Sequence, residues 1–288
     1  MRKFAVIDIG SNSVRLMFVA DGKVLYKSLN NTRLGEGLAA TSRLSEAAIA
    51  RSADAVSQFF AKAQAEGAEE IHAFATAAVR SAVNGQAFVQ RVKELCGLTV
   101  EVISGEEEAE IGILGALGAR DGAVVDVGGA STEIVVKKDG ALIYKKSVDI
   151  GVVRIKDKCG RAQADIEQLG LQTVKEYGDV PNVSEIYGIG GTATTIAAQV
   201  LGLTEYDSNK VTGSVITAEE MQRQADRLSN MSVEEIAKLP CMPKGRADVL
   251  SGGAVWLAVL MRELGVQKMI CSDRDNLEGY AIKRGLME

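Results

Sequence analysis

Two segments of the 288-residue chain match each other at a constant offset of 118 residues, the separation of Asp8 from Asp126. Val6-Ile7-Asp8-Ile9-Gly10-Ser11-Asn12-Ser13 aligns with Val124-Val125-Asp126-Val127-Gly128-Gly129-Ala130-Ser131. In the same register Asp21-Gly22 falls on Asp139-Gly140, and Tyr26-Lys27 on Tyr144-Lys145. Each copy reads as an apolar strand, a turn of small residues, a second strand, an Asp-Gly hairpin and a third strand. The chain is therefore expected to be an α/β protein of two similar halves, each opening on a three-stranded meander.

After the first meander the pattern predicts a helix over 45–64, a strand over 70–76, a helix over 86–95, a strand over 99–103 and a helix over 106–119. Ser45 is a natural N-cap, while Gly67 and Gly97 stop the helices before them. The second half repeats the plan more loosely, with a helix over 164–176, a strand over 185–189 and a helix over 192–200. Helices over 218–228, 233–239 and 245–264 follow, then a strand over 266–271 and a closing helix over 276–285. The expected domains are 1–119 together with the C-terminal segment 276–288, and 120–275.

Composition removes several kinds of function. The net charge of −5 argues against a general nucleic-acid coat, so no DNA partner is expected and any polyanion must meet a local basic patch. The single histidine, His72, rules out a histidine-rich metal site, and a Ser-His-Asp triad would have to recruit it from an alternating stretch that reads as a strand. Cys96, Cys159, Cys241 and Cys271 are widely spaced and read as reduced thiols rather than a zinc knuckle. The longest apolar run, 249–261, falls short of the roughly 20 residues that span a bilayer, so no membrane partner is expected. The N-terminus runs straight into a strand, and the expected compartment is the cytoplasm.

A strand ending in Asp and followed by small residues aims a carboxylate and several backbone N–H groups at one spot, a combination that suits phosphate. Gly10 and Gly128 allow close backbone approach, and Ser11, Ser13 and Ser131 add hydroxyl donors. If the halves face each other, Asp8 and Asp126 converge and can share Mg²⁺, which takes hard oxygen ligands and keeps part of its water; alternatively each Asp only caps its own turn. Glu106-Glu107-Glu108 opens the helix that leads into the second copy, where a carboxylate can polarise water against phosphorus or simply complement the helix dipole. Glu133 is the other candidate base. Arg80 is either a cleft cation or a solvated arginine, and Arg246, Arg274 and Lys210 are further candidate cations without a specific signal. Gly188-Ile189-Gly190-Gly191-Thr192 is a third glycine-rich turn, suited to phosphate at a helix N-terminus or to tight packing.

The paired turns and doubled meander resemble the actin-like superfamily of sugar kinases and Hsp70 ATPases, with its ribonuclease H-like halves around a central cleft. Within it, several motifs resemble the exopolyphosphatase and guanosine pentaphosphate phosphohydrolase family. Asp8 to Ser13 is similar to its D-x-G-S-N-S, Arg33-Leu34-Gly35-Glu36-Gly37-Leu38 to its R-L-G-x-G-L, and Thr76 to Arg80 to its T-x-A-x-R. Ile103-Ser104-Gly105-Glu106-Glu107-Glu108-Ala109 is similar to I-S-G-x-E-E-A, Asp126 to Glu133 to D-x-G-G-G-S-T-E, and Gly245-Arg246-Ala247-Asp248 to G-R-A-D. The resemblance implies Mg²⁺-dependent hydrolysis of a terminal phosphoanhydride, on inorganic polyphosphate or guanosine pentaphosphate, with water as nucleophile. It implies Glu108 as general base, Asp126 and Asp8 at the metal, Glu133 assisting metal or water, and Arg80 neutralising the phosphoryl group. The turns 10–13 and 128–131, with Gly129 and Ala130, would grip phosphate, and Gly190, Gly191 and Thr192 would contribute. Ala130 departs from the family's third glycine, and the chain reaches Glu288 without the added domains of longer members, which points to short chains. Actin-like ATP sensing, sugar phosphorylation and nucleotide sensing without turnover are the competing expectations; a homodimer is compatible with all of them.

Overall fold

In the computed structural model, which describes residues 2–287, the first copy of the repeat forms β1 (Lys3–Ile9), β2 (Val14–Ala20) and β3 (Lys23–Asn30), extended by β4 (Glu70–Ala75) and β5 (Val100–Val102). Met1 and Glu288, the outer ends of the expected first domain, lie outside the described residues. The second copy forms β6 (Gly122–Val127), β7 (Thr132–Lys138) and β8 (Ala141–Val148), followed by β9 (Glu185–Ile189), β10 (Val215–Thr217) and β11 (Lys268–Cys271).

The sheets run in the orders β3-β2-β1-β4-β5 and β10-β11-β9-β6-β7-β8. β1 pairs antiparallel with β2 and parallel with β4, as β6 does with β7 and β9. The repeat holds residue for residue. Asp21 and Gly22 turn the first hairpin at φ 48 and 73, Asp139 and Gly140 the second at φ 52 and 76, the left-handed pair that a type I′ turn requires. The ladder slips between Phe18 and Val19 in one copy and between Val136 and Lys137 in the other, at the same offset.

The helix Gly105–Leu117 lies between the sheets, and its sequence explains why. After its acidic first turn it is apolar or small on every face but that of Glu110, so this part is stable only when covered on all sides. Ile111 joins Phe4, Val6 and Phe74 of the first sheet, while Ala109, Ile113 and Leu117 join Val124, Val135 and Ile189 of the second. The returning helix Asn276–Lys283 crosses it in backbone contact: a Cβ on Gly115 would stand 1.9 Å from the Asp275 carbonyl oxygen, and one on Gly279 1.6 Å from that of Ile111. That crossing brings Glu108, Asp275 and Asn276 to the gap between the sheets. In the second half, buried Trp256 donates through Nε1 to Thr132 Oγ1 at 3.0 Å, and Thr132 donates to the Ile150 carbonyl at 2.5 Å.

Ser45 caps the helix Glu46–Ala65 by accepting from the Ala48 N–H, and Gly97 ends Gly85–Cys96 at φ 75, as expected. The apolar spacing does not predict the helix Val152–Cys159, which buries only Val152, Val153 and Ile155 and otherwise carries charge, nor the short helices Leu38–Thr41 and Ala77–Ser81, nor β10. The helix expected to reach residue 176 ends at Thr173 and tightens into a 3₁₀ turn that buries Tyr177.

Candidate active site

Gly10-Ser11-Asn12-Ser13 closes on itself where the Gly10 N–H donates to the Ser13 carbonyl at 2.9 Å, and the Gly128 N–H does the same to Ser131 at 3.0 Å. Each loop is braced from behind in the same register: the Gly35 N–H donates to the Ser11 carbonyl at 2.8 Å, and the Val153 N–H to the Gly129 carbonyl at 2.8 Å. Carbonyls are thereby engaged, while the N–H groups of Ser11, Asn12, Gly129 and Ala130 have no acceptor among the described residues. Successive free amides of this kind form an anion-binding concavity. The loops meet face to face, since a Cβ on Gly129 would lie 2.5 Å from Ser11 Cβ and 3.0 Å from the Asn12 nitrogen. They line a cleft of about 470 Å³ together with Asp8, Thr76, Glu108, Asp126 and the start of the Gly190–Val200 helix.

Buried carboxylates surround this cleft: Asp8, Glu108, Asp126, Glu133 and Asp275. Asp8 is paired through Oδ2 with Arg15, whose Nε lies at 3.0 Å, and Arg15 also pairs with Asp275. Asp126 Oδ2 accepts from Asn276 Nδ2 at 3.1 Å. Glu108 Oε2 accepts from Arg80 Nη1 at 3.0 Å, and the same nitrogen donates to the Ile103 carbonyl at 3.0 Å. Glu133 Oε1 accepts from Ser147 Oγ at 2.5 Å. Asp8 Oδ1 and Glu133 Oε2 are buried without a partner.

Burial is the main force on their protons. It pushes Asp126 up to about 7 against the pull of Arg15. It also raises Glu108, although Arg80 opposes it, and raises Asp8 despite Arg15. Glu133 is held well above the carboxylate range by burial and then by the charges of Glu108 and Asp126. Asp275 behaves differently: burial would raise it, but Arg15, Lys27 and the Leu277 N–H outweigh that and hold it below its ordinary value.

The third glycine turn serves packing and site together. Gly190, at φ 75, abuts Asp126, where a Cβ would stand 2.5 Å from Oδ1, and one on Gly191 would stand 1.8 Å from Arg246 Nη1. Thr192 spends its hydroxyl on the Val127 carbonyl at 3.0 Å. Arg246 lines the cleft, buried with Nε unpartnered, and burial followed by Arg15 pushes it down to about 10. Lys210 and Arg274 are exposed and outside the cleft lining, and His72 lies in β4 beside Glu70, 3.4 Å from Oε2. Arg80 and Glu133 stand behind the lining, in contact with it through Glu108 and Ser131.

The sequence matches the profile of the Ppx/GppA phosphatase family over residues 17–285. The chain belongs to the Ppx/GppA phosphatase family. The Exopolyphosphatase 2 of Mycobacterium tuberculosis is 31% identical across 98% of both chains. A guanosine-5'-triphosphate,3'-diphosphate pyrophosphatase from Photobacterium profundum is 31% identical over 99% of this chain and 58% of that enzyme. The crystal structure of an Aquifex aeolicus family member covers 99% of this chain and 98% of its own, with 29% identity and a TM-score of 0.80. The fold is thus the α/β fold of the Ppx/GppA family, built of two similar halves, and this phosphatase is a hydrolase of phosphoanhydride bonds.

Ppx/GppA membership raises the matter of a divalent cation. Among the described residues no three His, Cys, Asp or Glu side chains form a ready-made cluster. Yet two unpartnered carboxylate oxygens and four carboxyls raised by burial leave the cleft short of positive charge. The donor set suits a hard cation that takes one or two carboxylates and fills its shell with water and phosphate oxygens. No helix among the described residues is long and apolar enough to cross a membrane.

Sequence reasoning missed Arg15, Asp275 and Asn276. Arg15 carried a usable signal, because its strand position matches Glu133 in the aligned copies. Asp275 and Asn276 carried none, since Asp275 reaches Arg15 from 260 residues away.

Proposed function

We propose that this phosphatase is a Mg²⁺-dependent exopolyphosphatase that removes the terminal phosphate of short inorganic polyphosphate chains. The observation that carries the reading is the meeting of two free-amide loops beside buried Glu108. Both loops cradle the terminal phosphates, and Arg246 and Arg80 offset their charge. Glu108, with Oε2 fixed by Arg80, takes the proton of the attacking water; burial makes it a stronger base than an ordinary carboxylate. The water oxygen bonds to phosphorus as the bridging P–O bond breaks, and the shortened chain leaves with the bridging oxygen. Asp126 and Glu133 would hold Mg²⁺, which would neutralise charge on the phosphoryl oxygens. Asp8, balanced by Arg15, would contribute its free Oδ1. On this reading residues 1–119 with 276–288, and 120–275, are two domains closing on the substrate in the cytoplasm, where four unpaired cysteines stay reduced.

Guanosine pentaphosphate is the second substrate to test, because Tyr206, Met242 and Pro243 give the cleft an apolar wall with no use for bare polyphosphate. Phosphate release is measured from short-chain polyphosphate, long-chain polyphosphate, guanosine pentaphosphate and ATP, with Mg²⁺ or chelator, for wild type and Glu108→Gln. Release from short polyphosphate, lost with chelator and with the substitution, is the expected result. Binding without any release would convert the reading to a sensor, and transfer to a hydroxyl acceptor would make it a kinase.

A further inference from the structure

We propose that Asp248 sets the spacing of the two phosphate loops, acting as a positioning residue. The proposal rests on the function above in treating 10–13 and 128–131 as grips on phosphate. Asp248 lies in the first turn of the helix Ala247–Glu263. Its Oδ1 accepts from Arg33 Nη2 at 2.9 Å and its Oδ2 from Lys156 Nζ at 2.7 Å.

Each cation belongs to the brace of a different loop. Arg33 donates its backbone N–H to the Asn12 carbonyl at 2.9 Å, two residues before Gly35 binds Ser11. Its φ of 53 is left-handed, a strained state for an arginine that persists only when its surroundings hold it. Its guanidinium also donates to the Gly245 carbonyl at 3.2 Å. Lys156 sits on the helix Val152–Cys159, whose first N–H groups donate to the Gly128 and Gly129 carbonyls at 2.9 and 2.8 Å.

One carboxylate therefore joins loop to loop across the cleft, through two charge-assisted bonds on separate oxygens. It stands two residues from Arg246, whose guanidinium overlies Gly191. Neighbouring links across the same mouth are weaker in charge: Asn31 donates to the Lys244 carbonyl, and the Gly37 N–H to Asp157 Oδ2 at 3.0 Å. Phosphates along a chain have fixed separations, so a small drift between the grips costs binding.

The test is Asp248→Asn, which keeps the side-chain volume and removes the charge. Backbone hydrogen exchange of the free protein is followed by mass spectrometry alongside steady-state hydrolysis of short polyphosphate. The expected result is faster exchange at the bonded amides of the loops and their braces, in Gly10, 33–37, Gly128 and 152–153, than elsewhere, KM raised by about tenfold or more, kcat within about threefold, and recovery in Asp248→Glu. Arg33→Met and Lys156→Met should each speed exchange at their own loop, and neither should add to Asp248→Asn. Unchanged loop exchange with KM within about twofold overturns the proposal, as does uniformly faster exchange throughout the chain. If Asp248→Asn does not fold, the two methionine variants decide by the same exchange pattern. A wild type inactive on polyphosphate defeats the proposed function, while the exchange data still judge Asp248.

Discussion

Arg15 and Glu133 hold the same position in the two copies of the repeat, each directly across the antiparallel ladder from the opening aspartate, Asp8 or Asp126. In the first copy a cation faces the carboxylate and pairs with it; in the second, two carboxylates face each other. One half is balanced within the protein. The other stays short of positive charge, which supports placing the proposed cation there.

Arg15→Met should destabilise the fold by about 3–5 kcal/mol, because it strands the buried carboxylates of Asp8 and Asp275. Denaturant unfolding measures it, and Asp8→Asn in the same background should restore part of the loss. A cost under about 1 kcal/mol would show that water already compensates these groups.

The contribution of Asp126 to the stability of the chelated protein should fall as pH rises. Burial holds the Asp126 carboxyl at about 7, whereas the unfolded chain releases that proton near its ordinary value of 3.8. Between those limits the native state binds more protons at Asp126 than the unfolded one, so this group's contribution to stability is fully present below about pH 4 and is lost up to about pH 7, at most about 4 kcal/mol. Glu108 and Glu133 act in the same direction. Thermal unfolding of wild type and Asp126→Asn across this range should give a shallower slope for the variant, and Mg²⁺ should restore wild type at the alkaline end. Parallel slopes would refute the assignment.

Glu108→Gln keeps the hydrogen bond from Arg80 and removes the proton acceptor. Turnover should drop by about 10²- to 10⁴-fold while polyphosphate binding stays within about threefold. Titration calorimetry and phosphate release separate the two quantities. Retained turnover would pass the base role to Glu133.

Gly129→Ala drives a methyl group into Ser11 of the facing loop. The expected cost is about 1–3 kcal/mol in stability, with weaker substrate binding. Ala130→Gly, which removes a methyl from the same loop, should leave the fold intact; equal damage from both would mean the loops do not meet as described.

The repeat made the sheets, both loops and the opening aspartates legible, because strand alternation, Asp-Gly hairpins and small-residue turns are local signals. Glu108 was legible as a candidate through its place at the start of the linking helix, but its choice over Glu106 and Glu107 depends on which face of that helix is buried. Here Glu108 is buried and Glu106 is exposed, reaching Lys145 at 3.3 Å. Val152–Cys159 escaped because charged side chains interrupt its apolar face. The return of the last helix to the first domain was expected, but Asp275 and Asn276 escaped because nothing in a local window shows that their side chains meet Arg15 and Asp126.

Trp256 is the chain's single tryptophan, and its indole is bonded to Thr132, the residue after the second loop. The molecule thus carries a built-in optical reporter in the half that holds one grip and none in the half that holds the other: emission changes on ligand addition report the second half, without a dye and without a second indole to dilute the signal.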